Sequence, residues 1–422
     1  MDIEVASSTD SSSYTKIDAE GGPKGWLTVA GSFLVYYSSF GIINSFGFFQ
    51  KYYQEDFLLG TPPSTIAFIG TLQLALMNLL SPISGSLCDS YGIKYLYIVS
   101  GLGTSCALLA LSFASHGAAW LVFLLQGLLL GTIMAFAIQP ALTVAGHHFR
   151  DKRAFAMGIV STGSGVGGIC YPIMMEKLVT KIGFAWAVRV AALKVVLCYT
   201  TALVISTSRP SCNVARLNFT SLLDMRGFLD PRYCVLAIAA FFCHLGLWGP
   251  SYYLNAYCAT LHGPTPIQDY ILPLLNATSV FGMILGGKLG DRIGRLNLLC
   301  PMIILAGLLS LLMWLLATPI AAIVTFACIY GYCTGHFIAL LPAVVGQISP
   351  EEKLGARMGA LYSVAALASL IGTPIGGALI KDSKMREGYQ GLILYSGGAL
   401  LSGGLILFVG RLLHKGGVRA KW

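Results

Sequence analysis

The stretch Gly85-Ser-Leu-Cys-Asp89-Ser-Tyr-Gly92-Ile-Lys94 occurs twice in this chain in recognisable form. Its second copy reads Gly287-Lys-Leu-Gly-Asp291-Arg-Ile-Gly294-Arg295, and the two aspartates are 202 residues apart. Each copy lies next to a long apolar run. A loop motif repeated at the midpoint distance of a 422-residue chain indicates two homologous halves.

Two further pairs repeat at nearly the same offset: Pro140-Ala141 with Pro342-Ala343, and Met157-Gly158 with Met358-Gly359. Internal repeats of this size in an apolar chain are typical of secondary transporters. The repeats therefore predict a transporter built from two similar halves.

Composition places the chain in a membrane. Hydrophobic residues make up 55% of it, charged residues 11%, and the mean hydropathy is +0.73. Apolar runs of about 20 residues or more recur along the chain, and this is the length of a membrane-spanning helix. The net charge of +9 comes from basic residues in short loops, so we expect no nucleic-acid partner. The scattered cysteines predict neither a metal site nor a disulfide framework.

We predict an all-α membrane protein of twelve transmembrane helices in two six-helix repeats. Residues 1–24 form a disordered tail, 25–206 the first half, 207–230 a connecting loop, 231–413 the second half and 414–422 a second tail. The predicted spans are 25–50, 64–88, 93–114, 119–147, 153–180, 184–206, 231–258, 267–288, 296–317, 320–347, 355–380 and 390–412.

Basic residues predict the orientation. With both termini in the cytoplasm, the cytoplasmic tails and loops hold nineteen Lys and Arg residues and the opposite side holds six. This asymmetry is typical of cytoplasmic loops. The plasma membrane is the expected location, with the vacuolar membrane as the alternative.

The repeated motif and the two sets of six spans resemble the major facilitator superfamily. In that family the motif lies between spans 2 and 3 and closes one gate, which the resemblance implies here as well. Its glycines permit close helix packing, and its aspartates can accept hydrogen bonds at helix ends. The expected gate residues are Gly85, Asp89, Gly92, Lys94, Arg153, Asp291, Arg292 and Arg295. The competing interpretation is that the aspartates only solubilise loops.

A narrower resemblance is to the fungal branch of the monocarboxylate porter family. It is carried by Glu20-Gly-Gly-Pro-Lys-Gly-Trp26, by the segment from Lys152 to Gly168, and by Ile182–Arg189. It implies movement of small organic acids or related metabolites. Met283 stands where that family usually carries an arginine linked to carboxylate recognition and proton coupling, which weakens the case for simple acid–proton symport.

Polar residues inside the spans are the cavity candidates, because such groups are costly in hydrocarbon. Lys194 could bind an anion, and His244 or His336 could exchange protons. Arg189 is expected to extend towards the membrane surface. Helix packing is the competing role for each candidate. The uncharged candidates are Asn44, Gln139, Trp248, Tyr252 and Asn276.

Two transport functions remain open. The first is a carrier of a small organic acid or related metabolite, with or without protons, that works by alternating access. The alternative is an exporter of a larger amphipathic metabolite or toxin, favoured by Met283 and the aromatic residues of span 7. We expect no enzyme and no cofactor, since no catalytic constellation is present and adjacent His147 and His148 point apart on a helix. The expected partners are a small-molecule substrate and membrane lipid, and the protein is expected to act as a monomer.

Overall fold

The computed structural model describes residues 21–208, 225–262, 267–382 and 385–412, and its elements are helices. Eleven helices in this part are long and apolar enough to cross a bilayer, and a helix pair bent by 40° makes a twelfth span. The predicted all-helical membrane architecture is therefore confirmed. In chain order the spans are Gly22–Gln50 (span 1), Thr65–Leu79 with Ser81–Tyr91 (span 2), Lys94–Leu111 (span 3), Ala119–His148 (span 4), Arg153–Ile182 (span 5), Phe184–Ile205 (span 6), Pro231–Leu261 (span 7), Tyr270–Ile293 (span 8), Arg295–Trp314 (span 9), Ile320–Ile348 (span 10), Glu351–Ala378 (span 11) and Arg386–Leu412 (span 12).

The predicted span boundaries differ from these by a few residues. Span 8 runs to Ile293 rather than 288, because its charged end remains helical until Gly294 ends it with a φ of 107°. Span 1 starts at Gly22, inside the predicted tail, with Pro23 in its first turn, where proline suits a helix. Residues 1–20, 209–224 and 413–422 lie outside the described part, and these include most of the predicted tails and connecting loop.

Spans 1 and 7 are interrupted at corresponding places. The helix Gly22–Asn44 gives way at Ser45 to the helix Phe46–Tyr52, and Pro231–Leu247 gives way at Trp248 to Gly249–His262. The Ser45 hydroxyl donates a hydrogen bond to the Gly41 carbonyl at 2.6 Å. These two breaks are 203 residues apart, close to the offset between the two motif copies.

Two seams join spans 1–6, here called the N half, to spans 7–12, the C half. Span 2 packs on span 11, and span 5 packs on span 8. Backbone meets backbone along both seams: a methyl group at Gly158 would lie 2.6 Å from the Met283 carbonyl oxygen. Glycine lets helices approach this closely, so the seams are tight where small residues face each other.

The outer surface of the bundle carries large apolar side chains. Val99, Leu102 and Leu197 are each about three-fifths exposed, and many other leucines and valines are similar. A soluble protein rarely exposes so large a continuous apolar surface. Lipid contact around the bundle explains this surface.

The packing of span 1 makes a prediction about stability. Gly41 faces the Tyr171 ring of span 5, and an added methyl group would overlap that ring, with one ring carbon 2.7 Å away. Gly41→Ala should therefore destabilise the protein by about 1–3 kcal/mol through overpacking. Gly47 lies in the same span with nothing within 4 Å of an added methyl group, so Gly47→Ala is the matched control. Thermal unfolding in detergent should show a lower midpoint for the first variant alone; equal midpoints would contradict the tight packing at Gly41.

Candidate functional site

Both motif copies lie at one end of the bundle, which we call the motif end. There Asp89 of span 2 accepts hydrogen bonds from the backbone amides of Gly355 and Ala356, each at 3.1 Å. These amides belong to the first turn of the α-helix in span 11, whose own N-cap residue makes no side-chain capping bond. Free amides and the helix dipole make such a turn a site for a carboxylate. Asp89 therefore caps a helix of the opposite half, an arrangement we call the Asp89 clamp.

The second copy forms the same arrangement in reverse. Asp291 of span 8 accepts from the amides of Ala154 and Phe155, at 3.1 and 2.8 Å, in the first turn of span 5. Span 5 likewise lacks a side-chain cap of its own. We call this the Asp291 clamp. Each half thus supplies the missing cap of one helix in the other half.

The motif glycines fit the chain around these clamps. A methyl group at Gly85 would overlap the Gly355 carbonyl, and one at Gly287 would lie 2.5 Å from the Ala154 carbonyl oxygen. Gly92 ends its helix with a φ of 76°, and Gly294 does the same at 107°. Positive φ angles favour glycine at both positions. The predicted glycines therefore lie at the clamps, two in the seams and two at helix ends.

Two buried arginines add further contacts across the seam. Arg153, in span 5, donates to the carbonyls of Gly146 and Phe149 at the end of span 4 and to Gly346 in span 10. Arg295, in span 9, lies 2.9 Å from Asp291 and donates to the Arg150 carbonyl of the N half. Cations suit the carbonyl-rich C-terminal ends of helices.

The two clamp carboxylates have different basic side chains beside them. Asp291 is paired with Arg295, whereas the imidazole Nε2 of His147 lies 3.3 Å from Asp89. The sequence does not predict this pairing, because it depends on the end of span 4 lying beside span 2. Among the described residues, no group of three or more His, Cys, Asp or Glu side chains is arranged to hold a metal.

Lys94 and Arg292, predicted as gate residues, are both exposed. Neither is among the residues that contact the clamp carboxylates in the described part of the chain. Their place in the motif is therefore at the surface beside the clamps.

Two of the predicted cavity residues come together beside span 5. Asn44 of span 1 is exposed and donates to the Ser164 carbonyl of span 5 at 3.1 Å. Asn276 of span 8 is half-buried and approaches the same span from the C half. Both side chains lie against Gly168.

The predicted residues of span 7 occupy different surroundings. His244 is buried, with its Nδ1 2.8 Å from the Ala240 carbonyl of its own helix and its ring edge against Phe337 of span 10. Trp248 stands at the break of the span and is half-buried, while Tyr252, one turn later, is 50% exposed. The break therefore separates a packed histidine from a more open tyrosine.

Gln139 and His336 are buried, and each has one side-chain nitrogen without a hydrogen-bond partner among the described residues. The His336 ring faces Tyr332 on its own span and packs against Gly286 of span 8. Met283, which replaces the arginine expected from the porter family, is only 1% exposed. Its backbone lies in the seam against Gly158, so this position is occupied by packing between the halves.

Lys194 is half-buried within the N half. Its ammonium lies 3.9 Å from the Tyr171 ring centroid and 4.5 Å from that of Tyr37, beside the Met174 sulfur. Cations are attracted to aromatic faces, so these contacts hold the ammonium between spans 1, 5 and 6. Arg189 lies on another face of span 6, where it donates to Ser112 at 3.1 Å.

Because the clamps join the halves at the motif end, we expect removal of a clamp carboxylate to open that end. Asp291→Asn keeps one acceptor oxygen but turns an NH2 group towards a backbone N–H. Loss of such a charged hydrogen bond costs about 1–3 kcal/mol, enough to shift a closed-to-open ratio roughly tenfold. Glu352→Gln, at an exposed position beside the same seams, is the matched control.

The measurement is labelling of the native Cys88, which is buried beside Asp89 at the motif end of span 2, in a variant whose other cysteines are replaced. Labelling should be faster with Asp291→Asn than with Glu352→Gln. Equal rates would show that the clamp does not hold this end closed.

Comparison with known proteins places the chain in a family. The family model of the Major Facilitator Superfamily matches residues 28–325 and 236–421. The agnestins efflux protein of Paecilomyces divaricatus is 34% identical over 417 residues, covering 99% of this chain and 94% of its own length. The fujikurins efflux protein of Gibberella fujikuroi is 31% identical over 422 residues, covering 97% and 88%.

A solved structure shares the fold. The human organic anion transporter MFSD10 (TETRAN) superposes with a TM-score of 0.69 at 16% sequence identity, covering 91% of this chain and 98% of its own. The predicted fold is confirmed by this match together with the family match. The chain belongs to the major facilitator superfamily of transporters.

Proposed function

We propose that this protein exports an amphipathic secondary metabolite by alternating access. The observation that carries the proposal is the pair of reciprocal clamps. Both clamps lie at the motif end, and each joins one half to the other there. Contacts of this kind can break and re-form as one half rocks against the other around a central site. Two relatives that match nearly the whole chain are named as efflux proteins for fungal metabolites, which supports this choice of cargo.

The orientation follows from charge. The motif end carries the buried arginines Arg153 and Arg295 and the exposed Lys94 and Arg292, in keeping with the lysine and arginine excess of cytoplasmic loops. We therefore place the motif end and both termini in the cytoplasm. With both clamps formed, the structure corresponds to the state closed to the cytoplasm. The plasma membrane is the location that suits export.

Substrate chemistry favours an amphipathic cargo over a small anion. Met283 offers no charge where the porter family has an arginine, and its side chain is buried in the seam. Lys194, a cation of span 6, is held against two tyrosine rings. Neither of the two relatives named above is called a monocarboxylate porter.

A second candidate is carriage of a small organic acid, the function implied by the narrower resemblance. The observation in its favour is that Lys194 has aromatic and sulfur contacts rather than a carboxylate partner among the described residues. Such a cation could exchange its aromatic contacts for a substrate carboxylate. In that case His336, with an unpartnered ring nitrogen, is the candidate for proton exchange.

Export can be tested in yeast cells that lack their own dye exporters. Cells are loaded with the neutral dye 7-diethylaminocoumarin or with its 3-carboxylic acid, and separate cells are given radiolabelled pyruvate. The proposal predicts that the protein speeds loss of the neutral dye several-fold over an empty vector, with pyruvate uptake unchanged. Faster dye entry, or pyruvate uptake without dye loss, would contradict it.

Substitution of Lys194 separates the two candidates. Lys194→Met keeps the apolar volume but removes the charge, so export of the neutral dye should stay within about twofold of wild type. The loss of a cation–π contact, about 0.5–2 kcal/mol, should lower the unfolding midpoint by a few degrees. Lys181→Met, at an exposed position, is the control. If the wild-type protein carried pyruvate but exported no dye, and Lys194→Met lost the pyruvate flux, the acid carrier would be favoured.

A further inference from the structure

Asn44 and Asn276 meet at one point of span 5 although they belong to opposite halves. A methyl group at Gly168 would lie 2.9 Å from the Asn44 amide nitrogen and 3.2 Å from that of Asn276. The two nitrogens are thus separated by no more than the sum of these distances. One acceptor oxygen, or two neighbouring oxygens, can bridge that gap with hydrogen bonds of about 2.9 Å each.

Both amides retain hydrogen-bonding capacity. Asn44 uses one N–H on the Ser164 carbonyl, and its side chain is exposed, so its oxygen and second N–H stay open. The Asn276 side chain makes no hydrogen bond to another described residue and is half-buried. Amides inside a membrane bundle usually hydrogen-bond across helices. Two that do so incompletely, at the meeting of three spans, are available to a ligand.

The parts of the three spans that meet at Gly168 carry no charged residues. Span 1 has no Asp, Glu, Lys or Arg across 25–50, span 5 has none across 154–175, and span 8 has none across 270–287. Lys194 of span 6 is held against the Tyr171 ring, which packs on Gly41 of span 1. An ionised group at the amide pair would lose its hydration without a counter-charge, which is costly.

The flanking side chains are apolar. Phe40 lies one helical turn before Asn44, while Leu272 and Val280 lie one turn on either side of Asn276, and all three are half-buried. Residues four apart share a helix face. Each amide is therefore a polar point on an apolar stripe, which suits a ligand that has an oxygen group on an otherwise apolar body.

We propose that Asn44 and Asn276 form a two-amide site for an uncharged carbonyl, hydroxyl or amide group of the substrate, whose apolar part lies along Phe40, Leu272 and Val280. The proposal rests on the export function proposed above and narrows its cargo to neutral, oxygen-bearing amphipaths. Because the two amides belong to different halves, rocking changes their separation. A ligand that binds both is held better in one conformation than in the other, which is the requirement for coupling its binding to the transition.

The test uses the full chain in the yeast export assay and four single variants. Asn44→Leu and Asn276→Leu remove one amide each at similar volume, and Gly168→Ala inserts a methyl group between them. Gly398→Ala is the control, since nothing lies within 4 Å of an added methyl group there. Size-exclusion profiles and unfolding midpoints show that each variant folds.

For export of 7-diethylaminocoumarin, each of the first three variants should raise the half-saturating concentration about tenfold, as expected for one lost hydrogen bond to a buried ligand group. Gly398→Ala should match wild type. Diphenylhexatriene, which has no oxygen, should not compete with the coumarin in the wild-type protein.

The outcomes separate this site from the export function itself. Wild-type affinity in all three folded variants, or competition by diphenylhexatriene, would overturn the two-amide site while export stands. Preference of the wild-type protein for the coumarin carboxylate over the neutral dye would overturn the neutral specificity alone. Absence of any protein-dependent efflux of either dye would overturn both proposals.

Discussion

The α-helices of spans 5 and 11 begin without a side-chain cap of their own. The carboxylates that supply the missing caps come from the opposite half. A helix start leaves backbone amides unpaired, and burying them without partners is costly. Asp89 and Asp291 accept hydrogen bonds from these amides, and so remove that cost, only while the two halves are together at the motif end. The stability of two helix ends is thereby linked to one conformation of the whole transporter.

Everything near the clamps is consistent with this constraint. The first glycine of each motif copy brings the backbones close enough for the carboxylate to reach its amides, as Gly85 does against Gly355. The buried Arg153 and Arg295 bind carbonyls on both sides of the seam. The clamps are not identical, however, because Asp89 is paired with a histidine and Asp291 with an arginine.

The middle of the bundle follows a different physical rule from its motif end. Charge is concentrated where solvent and helix ends can stabilise it, and the central parts of spans 1, 5 and 8 carry none. In the proposed site, amides, aromatic rings and glycines are the groups that would contact a ligand. A binding region of this composition is suited to neutral amphipaths, and it agrees with the burial of Met283 at the position where the porter family has a charge.

Much of the architecture follows from the sequence alone. Continuous apolar runs of about 20 residues indicate membrane-spanning helices, because barrel strands would alternate apolar and polar residues. The repeat of the Asp89 motif at Asp291 indicates two halves. The resemblance of the motif to the major facilitator superfamily implied a gate role for Asp89 and Asp291, while loop solubilisation stayed open as the alternative.

Partners distant in the chain could not be read from the sequence. Three such contacts depend on which helix faces touch. They are the pairing of His147 with Asp89, the contacts of Lys194 with the Tyr37 and Tyr171 rings, and the meeting of Asn44 with Asn276 at Gly168. Hydropathy fixes that a helix spans the membrane but not how it is rotated, since lipid and a neighbouring apolar helix are equally suitable surroundings for an apolar side chain. Only the tertiary packing, in which glycines select the close faces, decided which polar groups point into the centre of the protein.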